Sequence, residues 1–348
     1  EGLPYRLAGR STEKLAQLSA SLPARPDWIT ADATQAGSLP SLFQGSRVLI
    51  NCAGPFTDLG ERVIAQAAMS GTNYLDITNE LGFVYRASSY GKMAMRNHAA
   101  LVPACAFEAA LADCAAEIIS RDLLAQSSLR SDPLNRIDVI YEINGRGSSI
   151  GTRRSAVRSL ATSWFAYRDG TWTGQIPGGR SQRFNLPNGS RHTFLIPSSE
   201  SILLPLHLRV QRVDVWMAGP PGVRVWAPLM VPLFARLSRS ILRPLILKLV
   251  SAGGKPDARV VDSNFGQTFT ITVFAQQGRQ SRWISLSGKD PYTLTAEIVV
   301  YAARRLAENC PQTGFLAPSQ AFDAKEFLDH ARQHWGLVIQ EGIMELHK

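Results

Sequence analysis

An α/β fold with two sheets is predicted by a change of pattern along the 348 residues of this chain. Up to about residue 125, short apolar runs alternate with helical spacing, which is typical of βα units and a parallel sheet. After about residue 132, apolar and polar residues alternate as in antiparallel strands, and helical spacing returns near residue 290. We therefore expect a Rossmann-like parallel sheet in residues 1–125, an α+β domain on a mainly antiparallel sheet in 126–290, and C-terminal helices in 291–348.

The first part is predicted to begin with a strand over Tyr5–Ala8 and a helix that Ser11 caps. Val, Ile and Leu runs that end in small or acidic residues indicate two further strands buried on both faces, at Val48–Asn51 and Tyr74–Ile77. A helix over Glu61–Met69 lies between them and ends at a Ser-Gly-Thr turn. Because no glycine-rich turn comes before the first strand, the first βα unit is expected to be absent, which leaves a strand edge unpaired.

Helical spacing from Phe107 to Ile118 predicts a long helix, and alternation from Ile137 predicts the first strand of the second sheet. The pair Asn188-Gly189 stands between two strand-like runs and indicates a hairpin. Two more alternating runs on either side of residue 278 predict another strand pair. The chain is expected to end helically, from a first turn capped before Pro291 and again from Ala321 onward.

The segment 225–250 is very apolar but contains four basic residues and three prolines, which we expect to break any helix there. It lacks the roughly twenty consecutive apolar residues of a membrane-spanning helix. One interpretation is an amphipathic helix at a membrane surface, because apolar bulk beside arginines suits an anionic bilayer. The other is a helix pair that covers an apolar substrate cleft or forms a homodimer interface.

The composition narrows the class of protein. The net charge is +9, yet the arginines are scattered and no basic stripe carries interleaved aromatic residues, so nucleic acid is not an expected partner. Acidic ligands or anionic surfaces fit this charge better. Four cysteines without a CxxC pair predict neither a metal site nor a disulfide framework, which favours a reducing, cytoplasmic location, with membrane association left open by the segment 225–250.

Candidate cofactor-binding residues follow the predicted strands. Arg10 and Ser11 lie just after the first strand, where an acidic residue binds the ribose of NAD and an arginine accommodates the 2′-phosphate of NADP. Arg10 therefore favours NADP, although any exposed arginine can follow a strand. Asp32 ends the next predicted strand and is a candidate for the adenine side, or simply a polar strand end.

A second group of candidates follows the strand Val48–Asn51. Small residues after a buried strand let the backbone approach a ligand closely, so we expect cofactor contacts here. This group consists of Asn51, Cys52, Ala53, Gly54, Pro55 and Phe56. Cys52 has no basic neighbour in the sequence, which favours a small buried filler over a reactive thiol.

Hydride transfer is the chemistry of the cofactor itself, so the protein mainly has to position the nicotinamide and supply a proton. Tyr74 and Glu80 lie at or beyond a predicted strand end and are the candidate proton donors. The alternative for each is that it satisfies backbone groups.

Four motifs resemble the saccharopine dehydrogenase-like oxidoreductases and, within them, the trans-acting enoyl reductase branch. They are LAGRSTEKL, VLINCAGPFTDLGERVIAQAAMSGTNYLDITNE, LVPACAFEAALAD, and SGKDPYTLTAEIVVYAARRLAE followed by TGFLAPSQAF. The resemblance implies a Rossmann domain that binds NADPH, a mixed-sheet substrate domain and a C-terminal helix that returns to the first domain. In this branch the activity is associated with reducing double bonds in polyketide or lipid intermediates.

The chain departs from the family pattern in two places. The family's opening GATGFTG-like turn, whose backbone N–H groups would bind the pyrophosphate, does not occur here. The family pattern GFDSIPSD reads AFEAALAD from Ala106 to Asp113, which lacks a glycine, a serine and a proline. Three functions remain: a reductase of a lipid or polyketide intermediate, a reductase of amino-acid-derived imines, and a non-catalytic scaffold associated with membrane or lipid.

Overall fold

The computed structural model describes residues 3–126, 132–145, 164–175, 180–219, 222–240, 248, 266–309 and 312–345. Its strands are β1 Leu7–Gly9, β2 Trp28–Thr30, β3 Val48–Asn51, β4 Asn73–Asp76, β5 Ala100–Val102, β6 Arg136–Asn144, β7 Trp164–Arg168, β8 Thr171–Gln175, β9 Ser181–Leu186, β10 Gly189–Leu195, β11 Arg212–Ala218, β12 Thr268–Gln277, β13 Gln280–Lys289, β14 Gly314–Phe315 and β15 Val338–Glu345. Its α-helices are α1 Thr12–Ser21, α2 Pro40–Phe43, α3 Phe56–Ser70, α4 Leu81–Ala87, α5 Gly91–Arg96, α6 Phe107–Gln126, α7 Glu200–Leu203, α8 Val223–Arg239, α9 Pro291–Glu308, α10 Pro318–Ala321 and α11 Ala324–His334.

Two groups of described strands are paired only in parallel, and all of these strands except β14 lie within residues 1–125. β1 pairs with β2, and β3, β4, β5 and β14 form a four-stranded sheet in the order β14-β5-β4-β3. Among the described residues, β1 and β3 are not paired with each other. The parallel βα pattern predicted for residues 1–125 is therefore confirmed.

Nine strands of the described part of the chain form the second sheet. Its main path runs β15-β13-β12-β6-β11-β10-β9, with β7 on β11 and β8 on β7. Among these described strands, every pairing is antiparallel except that of β6 with β11. The predicted hairpin at Asn188-Gly189 is β9 and β10, and the strand pair around residue 278 is β12 and β13. The prediction of a mainly antiparallel second sheet is confirmed.

Helix ends follow the predicted capping residues. The Ser11 hydroxyl accepts from the N–H of Lys14 at 3.3 Å at the start of α1. Gly71 ends α3 with φ of 73°, a left-handed conformation that costs glycine little. Asp290 caps α9 by accepting from the N–H of Thr293, and Pro291 occupies the first turn, where its missing N–H is not needed.

The two sheets share the long helix α6. It packs against β12 and β13 and also against α9, α10 and α11. Its residues Ala110, Leu111 and Cys114 are fully buried, as expected for a helix enclosed by other elements. α9 in turn packs on β3 and β4, so the C-terminal region contacts the parallel sheet.

Two sequence expectations are wrong. The chain does not end helically, because β15 follows α11 and pairs with β13 in the second sheet. Pro228 and Pro232 do not break the helix in the apolar segment, since α8 runs through both over 17 residues. Residues 241–247 and 249–250 of that segment lie outside the described part of the chain.

Among the described residues, no helix is long and apolar enough to cross a membrane.

Candidate functional site

The carboxyl ends of β1 and β2 carry the first group of predicted residues. Arg10 follows β1 directly and is exposed. Ser11 is occupied as the cap of α1. Asp32 follows β2 and accepts from the N–H and the hydroxyl of Thr34, both at 2.8 Å, and these bonds, together with the positive charge of Arg10, lower its pKa. Arg10 and Asp32 are therefore near neighbours at one edge of the sheet.

The loop after β3 is organised by Asn51. Its side-chain Oδ1 accepts from the N–H of Ala53 at 3.0 Å, and its Nδ2 donates to the hydroxyl of Tyr74 at 3.0 Å. Cys52, Ala53 and Gly54 are exposed, and the Gly54–Pro55 peptide bond is cis. The loop thus presents small residues and open backbone while Asn51 is buried beneath it. The interpretation of Cys52 as a buried filler is wrong, because its residue surface is exposed.

Glu80 closes the far side of this loop. Its carboxylate accepts from the N–H groups of Phe56, at 3.2 Å, and Thr57, at 2.8 Å, and from the Thr57 hydroxyl. Pro55 occupies the N-cap position of α3 and has no side chain that could accept these bonds. Glu80, which is distant in the sequence, therefore caps α3. The helix dipole also stabilises the negative charge of a carboxylate at this N-terminus. These contacts are those of the alternative in which Glu80 satisfies backbone groups.

Tyr74 and Asp76 form the floor of the loop on β4. Both are fully buried. Burial, followed by the charge of Asp76, raises the pKa of Tyr74 far above its usual range. Burial likewise raises the pKa of Asp76 to about 7, although its Oδ1 accepts from the N–H groups of Ala104, at 2.8 Å, and Thr78, at 3.0 Å. Asp76 therefore joins the end of β4 to the loop between β5 and α6.

Asn79 connects this region to the second sheet. Its Oδ1 accepts three hydrogen bonds, from the Ser198 hydroxyl at 2.9 Å, the Ser199 N–H at 3.0 Å and the Ser199 hydroxyl at 2.8 Å. Both serines are fully buried just before α7. The start of α7 is thereby held against the loop that follows β4.

A pair of glutamates at this junction was not among the sequence candidates. Glu200 opens α7, is fully buried and accepts from the Tyr141 hydroxyl through Oε1, while its Oε2 has no hydrogen-bond partner among the described residues. Glu108 lies in the first turn of α6 and keeps some exposed surface. Burial of most of its surface, and then the charge of Glu200, raise the pKa of Glu108 to about 7. The only signal in the sequence was an acidic residue within the apolar stretch ACAFEAALAD.

The structure thus brings the predicted residues together in two groups. Asn51 to Phe56, Tyr74 and Glu80 form one connected cluster, and Arg10, Ser11 and Asp32 form the other. Arg62 on α3 joins them, because its guanidinium donates to the carbonyl of Thr34 beyond β2. Both groups lie at carboxyl ends of parallel strands, where α/β sheets bind their ligands.

Comparison with known sequences identifies relatives of part of the chain. No family model matches it. A trans-acting enoyl reductase of Mycobacterium ulcerans is 30% identical over 169 residues, which cover 47% of this chain and 40% of that protein. A probable mitochondrial saccharopine dehydrogenase-like oxidoreductase of Arabidopsis thaliana is 36% identical over 110 residues, which cover 29% of this chain and 24% of that protein. The matches thus span less than half the length of these curated relatives.

Among solved structures, apo saccharopine dehydrogenase (L-Glu forming) from Saccharomyces cerevisiae superposes with a TM-score of 0.63 over 98% of this chain and 94% of that chain, at 10% identity. At this identity the likeness shows the fold alone. The fold defines a Rossmann-type α/β protein with a second, mixed sheet. The sequence matches add that part of the chain is similar to trans-acting enoyl reductases and to a saccharopine dehydrogenase-like oxidoreductase, so the predicted resemblance is confirmed.

Proposed function

We propose that this protein is an NADPH-dependent oxidoreductase that reduces a carbon–carbon double bond in a lipid or polyketide intermediate. The observation that carries the proposal is the exposed loop Cys52–Gly54, held open at the carboxyl end of β3 by Asn51 and Glu80. A small-residue loop in this position lets a dinucleotide lie against the backbone.

The residues present fit such a cofactor. Arg10 offers an exposed guanidinium at the end of β1, and guanidinium groups bind phosphate oxygens in a planar, two-pronged geometry. Arg10 would hold the 2′-phosphate, and the loop from Asn51 to Phe56 would approach the rest of the dinucleotide. When bound, the cofactor supplies a hydride.

Glu108 is the group that we assign to proton donation. Reduction of a double bond adds a hydride to one carbon and a proton to the other, so a carboxyl that is still protonated near neutral pH is required. The pKa of Glu108, raised to about 7 by burial and the nearby Glu200, meets this requirement. Tyr141 fixes Glu200 in place by donating to its Oε1.

The same carboxyls argue against an imine derived from an amino acid. Such a substrate carries a carboxylate and needs cationic groups around it. At the junction of the two sheets, the described titratable side chains include Glu80, Glu108 and Glu200, and none of the three can supply the positive charge that such a substrate needs. An uncharged acyl chain is the better match.

The experiment is a titration of the full chain with NADPH and then NADH, followed by cofactor fluorescence. We expect NADPH to bind more tightly, and Arg10→Ala to weaken NADPH binding by about tenfold while NADH binding stays unchanged. Arg96→Ala, which removes another exposed arginine on α5, is the matched control. Absence of binding to either cofactor would refute the proposal.

A further inference from the structure

Helix α8 carries a row of large apolar side chains on its outer side. Leu229 is 72% exposed and Met230 is 53% exposed, which is unusual for side chains of this size on one helix. Among the side chains of α8 whose burial the structure describes, the exposed large apolar ones are Leu229, Met230, Leu233, Phe234 and Leu237. We call these five residues the apolar face of α8.

The five side chains lie on one side of the helix. At 100° per residue they occupy an arc of about 140°. Ala235 lies on the opposite side, where it is 2% exposed, and α8 packs against β9 and β10 of the second sheet. Over residues 229–237, the helix therefore buries the small Ala235 against the protein and directs the five large apolar side chains outward, the reverse of an ordinary surface helix.

The sequence segment that contains α8 carries only positively charged side chains. Between Asp214 and Asp257 the sequence contains no acidic residue and six basic ones: Arg224, Arg236, Arg239, Arg243, Lys248 and Lys255. Arg236 is exposed and lies at the edge of the apolar face, about 20° beyond Leu229 around the helix. Apolar bulk flanked by arginines is complementary to a surface that combines anionic headgroups with acyl chains.

Two other occupants fit less well. A second copy of the chain would bring two arginine-rich segments together, and like charges across an interface are repulsive. Insertion across a bilayer does not fit either, because α8 has 17 residues and a spanning helix needs roughly 20 apolar ones. A helix that lies in the plane of the membrane surface requires neither contact between two positively charged copies nor a continuous apolar span of that length.

We propose that the apolar face of α8 docks this protein onto an anionic membrane surface, with the five side chains at the boundary between headgroups and acyl chains. This inference is independent of the proposed reductase activity. It predicts that binding depends both on anionic lipid and on the apolar face.

The test is flotation of the full chain with vesicles of phosphatidylcholine alone or mixed with phosphatidylglycerol. We expect flotation with the anionic vesicles, weakened by salt, and little with phosphatidylcholine alone. The triple variant Leu229→Gln, Leu233→Gln, Phe234→Gln changes exposed positions and should lower the bound fraction by about tenfold or more. Arg236→Glu should weaken binding to the anionic vesicles by at least about fivefold.

The matched control is the triple variant Leu18→Gln, Met69→Gln, Met95→Gln, which replaces three exposed apolar side chains on other helices and should float like the parent protein. Equal melting temperatures and equal NADPH titrations of the two triple variants separate membrane docking from folding and from cofactor binding. Failure to float with anionic vesicles, or flotation that the α8 variant leaves unchanged, would overturn the proposal. A dimer in sedimentation that only the α8 variant dissociates, without vesicle binding, would instead assign the face to a second copy.

Discussion

The imidazole Nε2 of His207 lies 2.7 Å from the carboxylate Oδ1 of Asp113, and both side chains are almost entirely buried. The other ring nitrogen faces Glu117 at 3.3 Å, one turn further along α6. Asp113 also accepts from the N–H of Ser319 on α10 at 2.7 Å. The Asp113 carboxylate therefore joins α6 to two segments that are distant in the sequence, one that contains His207 and one that contains Ser319.

The first prediction concerns this ion pair. Burial alone would lower the pKa of His207, but the Asp113 carboxylate, together with Glu117, raises it to about 10. His207→Gln leaves Asp113 without its countercharge, so we expect a loss of about 3 kcal/mol of unfolding free energy near neutral pH. Because the folded-state pKa lies above the unfolded value of 6.5, this stabilisation is complete below pH 6.5 and is lost as the pH rises through about 10.

Urea unfolding of the parent and variant at pH 6, 8 and 10 measures this effect. The difference between the two proteins should shrink toward pH 10. His334→Gln, an exposed position on α11, serves as the control and should unfold like the parent protein. A difference that is the same at all three pH values would contradict the ion pair.

The second prediction concerns Asp76, whose buried negative charge lowers the free energy of unfolding, whereas the charge of His207 raises it. Burial raises its pKa to about 7, so between about pH 4 and 7 the folded state binds more protons than the unfolded state, and stability falls as the pH rises. Asp76→Asn keeps an oxygen that accepts from Ala104 and Thr78 but removes the buried charge. At pH 8 the variant should gain up to about 4 kcal/mol relative to its difference from the parent at pH 4.

Denaturant titrations at pH 4.5, 6 and 8 are the measurement. Asp27→Asn, at an exposed position, gives the comparison for an ordinary carboxylate. Parallel pH profiles of the parent and Asp76→Asn would show that this carboxyl is already ionised at low pH.

The third prediction tests Glu108 as the proton donor. With NADPH and an enoyl thioester as probe, Glu108→Gln should lower kcat by about 100-fold or more while the affinity for NADPH stays unchanged. The parent rate should fall above about pH 7, where Glu108 loses its proton, and the variant should lack this limb. Glu108→Asp, the residue type of the related family pattern, should restore part of the rate.

If Glu108→Gln changes only KM and leaves kcat unchanged, proton transfer belongs to another group. The same conclusion follows if the fall of the rate above about pH 7 persists in Glu108→Gln. Tyr141→Phe is the companion variant, since it removes the donor to Glu200 without touching Glu108. It should shift the pH limb and leave the maximal rate closer to that of the parent.

The fourth prediction concerns the start of α3. Glu80→Ala removes the acceptor of the Phe56 and Thr57 N–H groups, and Pro55 cannot replace it. Loss of a helix cap costs about 1–2 kcal/mol, so the variant should melt earlier and the first turn of α3 should exchange its amide hydrogens faster. Glu61→Ala, in the same helix but beyond its first turn, should not accelerate exchange at Phe56 and Thr57.

The sequence patterns predicted local features better than distant contacts. The Ser11 cap, the Gly71 terminus and the hairpin before Gly189 depend on neighbouring residues, so their chemistry is visible in a short window. The parallel pairing of β6 with β11 joins residues more than seventy positions apart, and no local alternation specifies it. β15 was missed for the same reason, because its partner β13 makes it a strand.

The candidate site divides in the same way. The loop from Asn51 to Phe56 was predictable, since small residues follow a buried apolar run. The electrostatic interaction of Glu108 with Glu200 was not, because the two residues are 92 positions apart in the sequence. Glu80 was predicted as a candidate, but its capping role depends on Pro55, twenty-five positions earlier in the chain.

The oxygen of Asn79, which collects three donors from Ser198 and Ser199, has a consequence for how the molecule moves. A hinge that swung the two sheets apart would break these three hydrogen bonds, each of which contributes about 1 kcal/mol net. The two sheets should therefore move together. Ligand entry at the carboxyl end of β3 should then depend on flexing of the exposed loop after β3 and not on separation of the two sheets.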